Sequence, residues 1–143
     1  MGFWLAVEMN DKLPIIEFAF PGPLRDSLIA AIETGAKTST STLLRQYEVG
    51  NEALPAVGDT GCVVGSDGER LFALQTTGVD VVRLADVPLD HALAEGEGDT
   101  SVAQWRAGHM DFWTSAEIRA ELGAEFEPDD DTLVVLERFA VVP

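Results

Sequence analysis

The sequence predicts an α+β fold in which a curved, mostly antiparallel sheet or small β-barrel is flanked by helices. Strand and helix patterns are interspersed without the regular strand–helix–strand alternation of a parallel sheet. No glycine-rich phosphate loop follows a strand, which argues against a doubly wound fold. The segment Gly65-Ser66-Asp67-Gly68 predicts a hairpin between strands at about 60–65 and 70–83, because Gly and Asp tolerate positive φ.

The N-terminal part of the chain predicts two helices and two extended segments. Residues 1–9 are typical of a short amphipathic helix, and the strand pattern over 15–20 is stopped by Pro21-Gly22-Pro23. A helical pattern begins at Leu24, and Gly35 lies where a glycine commonly ends a helix. Residues 37–44 are rich in Thr and Ser, which favours a strand. We interpret residues 51–59 as a loop.

The C-terminal part predicts three helices and a final strand. Residues 86–93 have a helical pattern, and residues 133–142 have a strong strand pattern. Two capping boxes mark the other helix starts: Ser101 with Gln104, and Thr114 with Glu117. The first box opens a helix with an apolar side, on which Trp105 and Phe112 should be buried together with Leu136 of the final strand. The second predicts a helix over 115–122 that stops at Gly123.

Charge and length indicate one domain that takes a small ligand. Nine Lys and Arg stand against 25 Asp and Glu in 143 residues, a formal net charge of −16. That field repels polyanions and disfavours binding of RNA or duplex DNA. We expect a single domain over residues 1–143, with its core over about 15–142.

The cysteine content and the hydropathy pattern predict the cellular compartment of the protein. Cys62 is the single cysteine, so it forms no internal disulfide, and its neighbours Val63 and Val64 indicate a buried strand thiol. The apolar start lacks a basic leader, and no apolar run approaches membrane-spanning length. The sequence therefore predicts a reduced, cytoplasmic protein that does not contact a membrane.

Lys37 and Thr40 are a candidate base and nucleophile at the start of the hydroxyl-rich strand. Alternation along a strand puts Thr38, Thr40 and Thr42 on one face, with Lys37 at its mouth. A lysine base must be neutral to accept a proton, which requires desolvation or a cationic neighbour. The alternative interpretation is a solvated lysine beside a half-exposed strand whose threonines reflect β-propensity.

An acidic glycine segment, Glu95-Gly96-Glu97-Gly98-Asp99, is the second candidate site element. Carboxylates on such a loop suit catalysis, because bare backbone lets a ligand approach closely. The alternative is a solvated acidic loop that stabilises the following helix at its N-terminus.

His109 follows Trp105 by one helical turn, which favours core packing but also allows His109 to orient a site residue. No metal-ligand spacing recurs among His91, His109 and the carboxylates, so we expect neither a metal nor another cofactor. Tyr47 follows the strand closely and is a candidate for stacking on a base.

These residues together resemble the ASCH domain, a family with a barrel fold related to the PUA domains of RNA-modifying proteins. The resemblance covers most of residues 15–142 and is closest to the longer bacterial members. Its motifs are Gly35-x-Lys37-x-x-Thr40, Gly58-Asp59, Glu95-Gly96-Glu97-Gly98-Asp99, and Trp105-Arg106-Ala107-Gly108-His109 followed by Phe112-Trp113. It implies a PUA-like small curved β-barrel with a cleft for RNA or a nucleoside.

The resemblance also implies an activity. Some small members are amidohydrolases that remove acyl groups from N4 of cytidine with a lysine, a threonine and a glutamate, and these roles fall on Lys37, Thr40 and Glu97. Those members tend to carry an arginine two residues after the threonine, where this chain has Thr42. Substrate contacts are expected from five residues: Thr38, Thr42, Tyr47, Glu95 and His109. Other members are RNA-binding proteins or ribonucleases, and a non-catalytic nucleoside-binding domain is the third hypothesis.

Overall fold

The computed structural model describes residues 12–143, in which five helices, one 3₁₀ turn and five strands succeed one another. The helices are α1 (Pro23–Glu33), α2 (Leu44–Val49), α3 (Leu89–Ala94), α4 (Val102–Trp113) and α5 (Ala116–Leu122). The strands are β1 (Ile15–Ile16), β2 (Ser39–Leu43), β3 (Thr60–Val64), β4 (Arg70–Arg83) and β5 (Leu133–Val141), and the 3₁₀ turn is Leu84–Asp86.

The strands form one sheet in the order β1-β3-β4-β5-β2. The pairs β3–β4, β4–β5 and β5–β2 are antiparallel, and the short β1 pairs in parallel with β3. The last strand therefore lies between β4 and β2. The register places Thr40 of β2 opposite Glu137 of β5, and Ser41 opposite Leu136.

The mixed α+β architecture agrees with the sequence prediction. The small β-barrel that was expected is not observed among the described strands. Within residues 12–143, β1 and β2 are the two ends of the strand order and do not pair with each other. The sheet therefore remains open. The physical reason is that β1 is only two residues long, too short to supply a closing ladder.

Apolar side chains form two buried clusters. The cluster on the β1–α1 side contains Phe18 and Phe139 together with residues of α1, β3 and β4. The cluster under α4 contains Trp105 and Trp113, both at most 1% exposed, with Leu136 of β5. Burial of Trp105 and Leu136 was expected, whereas Phe112 is only partly buried.

Local sequence signals account for several element boundaries. Ser101 accepts a hydrogen bond from the backbone N–H of Gln104, and Ser115 does the same for Ile118, so Ser115 rather than Thr114 caps α5. Gly68 turns the β3–β4 hairpin with φ 83°. Cys62 is fully buried in β3, as predicted.

Three differences from the prediction concern short elements. The strand expected over 15–20 is confined to Ile15–Ile16, and α2 occupies a segment that we did not predict to be helical. The helix expected over 86–93 begins only at Leu89, after the 3₁₀ turn. The helix predicted over 1–9 lies outside the described residues. Among residues 12–143, no helix is long and apolar enough to cross a bilayer.

Candidate active site

A tight backbone contact brings the acidic glycine segment against the start of β2. The N–H of Thr38 donates to the carbonyl of Ala94 at 2.8 Å. Gly96 follows with φ 66°, and a Cβ at this position would overlap the carbonyl oxygen of Ala36 and lie 2.7 Å from the Lys37 nitrogen. Only glycine combines this φ with this approach. The turn thereby places Glu95 and Glu97 on either side of Gly96 and next to Lys37.

Lys37 is a buried cation, 2% exposed, with two carboxylate neighbours. Its Nζ lies 3.5 Å from Glu95 Oε1 and 3.6 Å from Glu97 Oε2. Nζ also donates to the backbone carbonyl oxygens of Ser39 at 2.8 Å and Glu95 at 3.4 Å. The alternative of a solvated surface lysine is therefore wrong.

Glu95 is the most highly connected side chain of the site, and it is 1% exposed. Its Oε2 accepts hydrogen bonds from the Trp105 indole N–H and, at 2.7 Å, from the Ser41 hydroxyl. Burial alone would raise the pKa of Glu95, but hydrogen bonds from His109 and His91 and the charge of Lys37 outweigh it and lower the pKa well below its usual range. Glu95 is therefore ionised at neutral pH.

His109 is held as an imidazolium. Nδ1 lies 2.8 Å from the Trp105 carbonyl oxygen and Nε2 lies 3.2 Å from Glu95 Oε1. Both partners only accept, so both ring nitrogens act as donors. Burial opposes this charge, but the hydrogen bond and the charge of Glu95 exceed it and raise the pKa of His109.

Glu97 differs from Glu95 in the direction in which its pKa is shifted. Its side chain is 27% exposed. Burial raises the pKa of Glu97, and the charge of Lys37 only partly offsets the effect of burial and of the Glu95 anion. Two adjacent carboxyl groups with pKa values displaced in opposite directions form a set in which one fixes charge and the other can carry a proton.

A cavity of about 1030 Å³ opens beside this cluster. Its walls come from the β1–α1 connection, from β2 and β5, and from α4. The rings of Phe20 and Phe112 lie 5.9 Å apart, where two of these walls meet. Of the eight candidate site residues predicted from the sequence, six line this cavity: Thr40, Thr42, Tyr47, Glu95, Glu97 and His109.

The other two candidate residues, Thr38 and Lys37, do not line this cavity. Thr38 is exposed and lines a neighbouring cavity of about 590 Å³ together with Gly35 and Lys37. Lys37 itself does not line the larger cavity, but Glu95 and Glu97, whose carboxyl groups it contacts, do. Along β2, the register puts Thr40 on the face of Glu137, whereas Ser41 turns to the opposite face and contacts Glu95.

Sequence reasoning missed two members of the cluster and misjudged a third. Ser41 Oγ lies 2.7 Å from His91 Nε2, and that nitrogen lies 3.2 Å from Glu95 Oε2. Trp105, expected only as a core residue, also donates to Glu95. The available signal was a pair of helical spacings: His91 and Glu95 are four residues apart, as are Trp105 and His109.

Glu95, Glu97 and His109 offer ligand atoms within 4.8 Å of one another, which is close enough for a metal ion. The Lys37 ammonium, however, already contacts both carboxylates, and both nitrogens of His109 have acceptors. An internal cation therefore takes the place that a metal would fill, and the donor set fits a lysine–carboxylate site better.

Comparison with protein families identifies the chain. A family model described as the ASCH domain matches residues 16–143. The chain belongs to the ASCH domain family. No curated protein is significantly similar to it in sequence.

Solved structures agree with this assignment. An ASCH domain from Lactobacillus crispatus JV V101 is 29% identical, with a TM-score of 0.76 over 96% of this chain and 92% of the other. A protein from Enterococcus faecalis V583 is 25% identical, with a TM-score of 0.77 over 90% of this chain and 76% of the other. A hypothetical protein at 15% identity and a TM-score of 0.54 shares the fold alone, over 89% of this chain and 100% of the other.

Proposed function

We propose that this ASCH domain hydrolyses an amide on an N4-acylated cytidine-type nucleoside. The observation that carries the proposal is the contact of the buried Lys37, through its Nζ, with Glu97 Oε2 at 3.6 Å, next to a cavity that Thr40 lines. A cavity of about 1030 Å³ is ample for a nucleoside. Thr40, Lys37 and Glu97 would supply the nucleophile and the proton transfers.

Thr40 attacks the acyl carbon in the proposed first step. Its Oγ1 forms the new C–O bond, and the C–N bond to the nucleoside breaks, which leaves an acyl-threonine and a free amine. Water then attacks the ester, releases the carboxylic acid and restores the hydroxyl. Among residues 12–143, the Thr40 hydroxyl has no side-chain hydrogen bond, so no interaction must break before it acts.

Lys37 and Glu97 carry out the proton transfers of the proposed reaction. Lys37 passes a proton to the Glu97 carboxyl, whose Oε2 lies 3.6 Å from Nζ, and the neutral amine then takes the Thr40 proton directly or through a water. Glu97 afterwards protonates the leaving amine. Glu95 keeps its charge throughout and holds Lys37 and His109 in position.

Turnover of N4-acetylcytidine tests the proposal, with RNA degradation measured beside it. We expect the purified protein to release cytidine and acetate, and Thr40→Val to abolish release, because valine keeps the shape of threonine but lacks the hydroxyl. The matched control is Thr38→Val on the same strand segment, since Thr38 is exposed and outside the large cavity. Equal loss in both variants, or RNA cleavage without amide hydrolysis, would contradict the proposal.

A further inference from the structure

Glu137 faces the candidate nucleophile across the sheet. The register pairs Thr40 with Glu137, and directly opposite residues of an antiparallel ladder project to the same face with their Cβ atoms about 5 Å apart. Both residues line the large cavity. The proposed mechanism gives Glu137 no role.

The Glu137 carboxyl is anchored through one oxygen. Thr76, itself buried, donates from Oγ1 to Glu137 Oε2 at 2.7 Å. Among residues 12–143, this is the only side-chain hydrogen bond of that carboxyl, so Oε1 retains its capacity to accept. An anchored carboxyl with one free oxygen is a directed hydrogen-bond acceptor.

The cavity provides acceptors rather than free cations. Six further carboxylates line it: Glu17, Glu52, Glu95, Glu97, Asp99 and Glu121. Among the described residues, the arginine in its wall is Arg25, which is 3% exposed and donates to the carbonyl oxygens of Phe18, Ala19 and Gly65. His109 is bonded to Glu95. A ligand that offers N–H donors therefore matches this cavity better than one that carries phosphate.

We propose that Glu137 is a specificity-determining residue that accepts a hydrogen bond from the N–H of the scissile amide. This inference rests on the proposed function, because it places the amide between Thr40 and Glu137. Thr40 then attacks the carbonyl carbon of the amide, and Glu137 accepts a hydrogen bond from its N–H. The site accordingly selects secondary amides, such as an N4-acylated cytidine that retains its N4 hydrogen.

The test compares N4-acetylcytidine with N4-acetyl-N4-methylcytidine, which lacks the hydrogen. We expect the wild type to bind the methylated compound at least about tenfold more weakly. In Glu137→Gln, the amide oxygen takes the Thr76 hydroxyl and the NH₂ group meets the substrate N–H. We therefore expect KM for N4-acetylcytidine to rise about tenfold, with kcat changed much less, and the preference between the two compounds to disappear.

Glu52→Gln is the matched control, because it removes the same charge from the wall of the same cavity at an exposed position. We expect its KM to stay within about twofold of the wild type, well below the tenfold effect of a lost contact. Equal effects of the two variants on KM would overturn the inference, because the change in KM would then follow from the net charge of the cavity and not from a contact with Glu137. Should Glu137→Gln fail to fold, Glu137→Asp withdraws the same carboxylate by one methylene and must produce the same rise in KM.

Binding by calorimetry separates this inference from the proposed function. Binding of N4-acetylcytidine that is weakened by Glu137→Gln, without any turnover, would refute hydrolysis and support the role of Glu137. Turnover with an unchanged KM in Glu137→Gln would refute the role of Glu137 and leave hydrolysis standing. Absence of both binding and turnover in the wild type would refute both.

Discussion

At the scale of single residues, the buried ion pair of Lys37 and Glu95 governs the site. Both side chains are 1% exposed, and the Glu95 carboxylate is contacted by two histidines, a tryptophan and a serine. A carboxylate removed from water is tolerated only when its oxygens are paired and hydrogen-bonded. The cluster around Glu95 therefore contributes to the stability of the fold as well as to the chemistry of the site.

Lys37 can be tested by two substitutions. Lys37→Ala should abolish amide hydrolysis and, because it leaves Glu95 with less compensation, lower the free energy of unfolding by about 3–5 kcal/mol. This differs from a lysine at a solvated strand end, whose loss would hardly affect stability. Lys37→Arg should also abolish hydrolysis, since a guanidinium does not deprotonate in proteins.

Turnover, ligand affinity and denaturant unfolding should be measured side by side on the wild type and both variants. If the arginine variant hydrolyses N4-acetylcytidine at an undiminished rate, Lys37 is not the base. If it retains affinity for the nucleoside but not turnover, the lysine serves in proton transfer rather than in binding alone.

The low pKa of Glu95 predicts how stability depends on pH. Because this pKa is lower in the folded chain than the ordinary carboxyl value of 4.5, ionised Glu95 stabilises the fold above that pH, and the contribution is lost as the pH falls below it. Urea unfolding of the wild type and Glu95→Gln should therefore differ most near neutrality. The difference should shrink steadily below pH 4.5, and a gap that is constant with pH would contradict this role.

At the scale of elements, the turn at Gly96 joins the end of α3 to the start of β2. Gly96→Ala should destabilise the protein and abolish turnover, because the added Cβ overlaps the Ala36 carbonyl and pushes the two carboxylates away from Lys37. Gly98→Ala is the matched control: Gly98 also has a positive φ, 91°, but a Cβ there meets nothing within 4 Å.

Both alanine variants carry a backbone strain of about 1–2 kcal/mol, so the difference between them isolates the contact with Ala36. Thermal unfolding and turnover of N4-acetylcytidine measure it. Equal melting temperatures and equal rates in the two variants would show that the close approach at Gly96 does not position the site.

Elements whose signals are local were predictable, and those that depend on distant partners were not. The Gly68 turn, the Ser101 cap and the long strands follow from neighbouring residues alone. In contrast, α2 has only six residues and packs on α5 and β5, so its helical state depends on tertiary contacts that propensity does not contain.

The candidate site divides in the same way. Lys37, Thr40 and the glutamate segment came from motif and resemblance, and Lys37 lies 3.6 Å from Glu97, as expected for that pair. The convergence of Ser41 and His91 on Glu95 could not be derived, because it requires the Gly96 turn and the register of β2. The position of Glu137 could not be predicted from the sequence either, since only strand pairing places it opposite Thr40.

At the scale of the whole molecule, charge decides which partners are favoured. Ion pairs with carboxylates occupy at least six of the nine basic residues, all nine of which lie within residues 12–143: Arg25, Lys37, Arg83, Arg106, Arg119 and Arg138. The net charge of −16 therefore reflects a surface with little free positive charge to neutralise phosphates.

Binding to unmodified RNA should accordingly be weak and lost as the salt concentration rises. Fluorescence anisotropy with a labelled single-stranded RNA, measured from low to physiological ionic strength, tests this expectation. Tight binding that persists at high salt would favour the RNA-binding hypothesis over hydrolysis of a free nucleoside.

The position of β5 in the sheet has a consequence for how the chain acquires its site. Among the described strands, β2 pairs only with β5, so residues 39–43 pair with residues that lie 91 to 99 positions later in the chain. Closing so large a loop is entropically costly and makes folding slow. During synthesis on the ribosome, the hydroxyl-rich strand is therefore made early but forms its ladder only after Leu133–Val141 has been added. A nascent chain that stops before residue 133 carries Lys37, Thr40 and both glutamates, yet has no strand against which to align them.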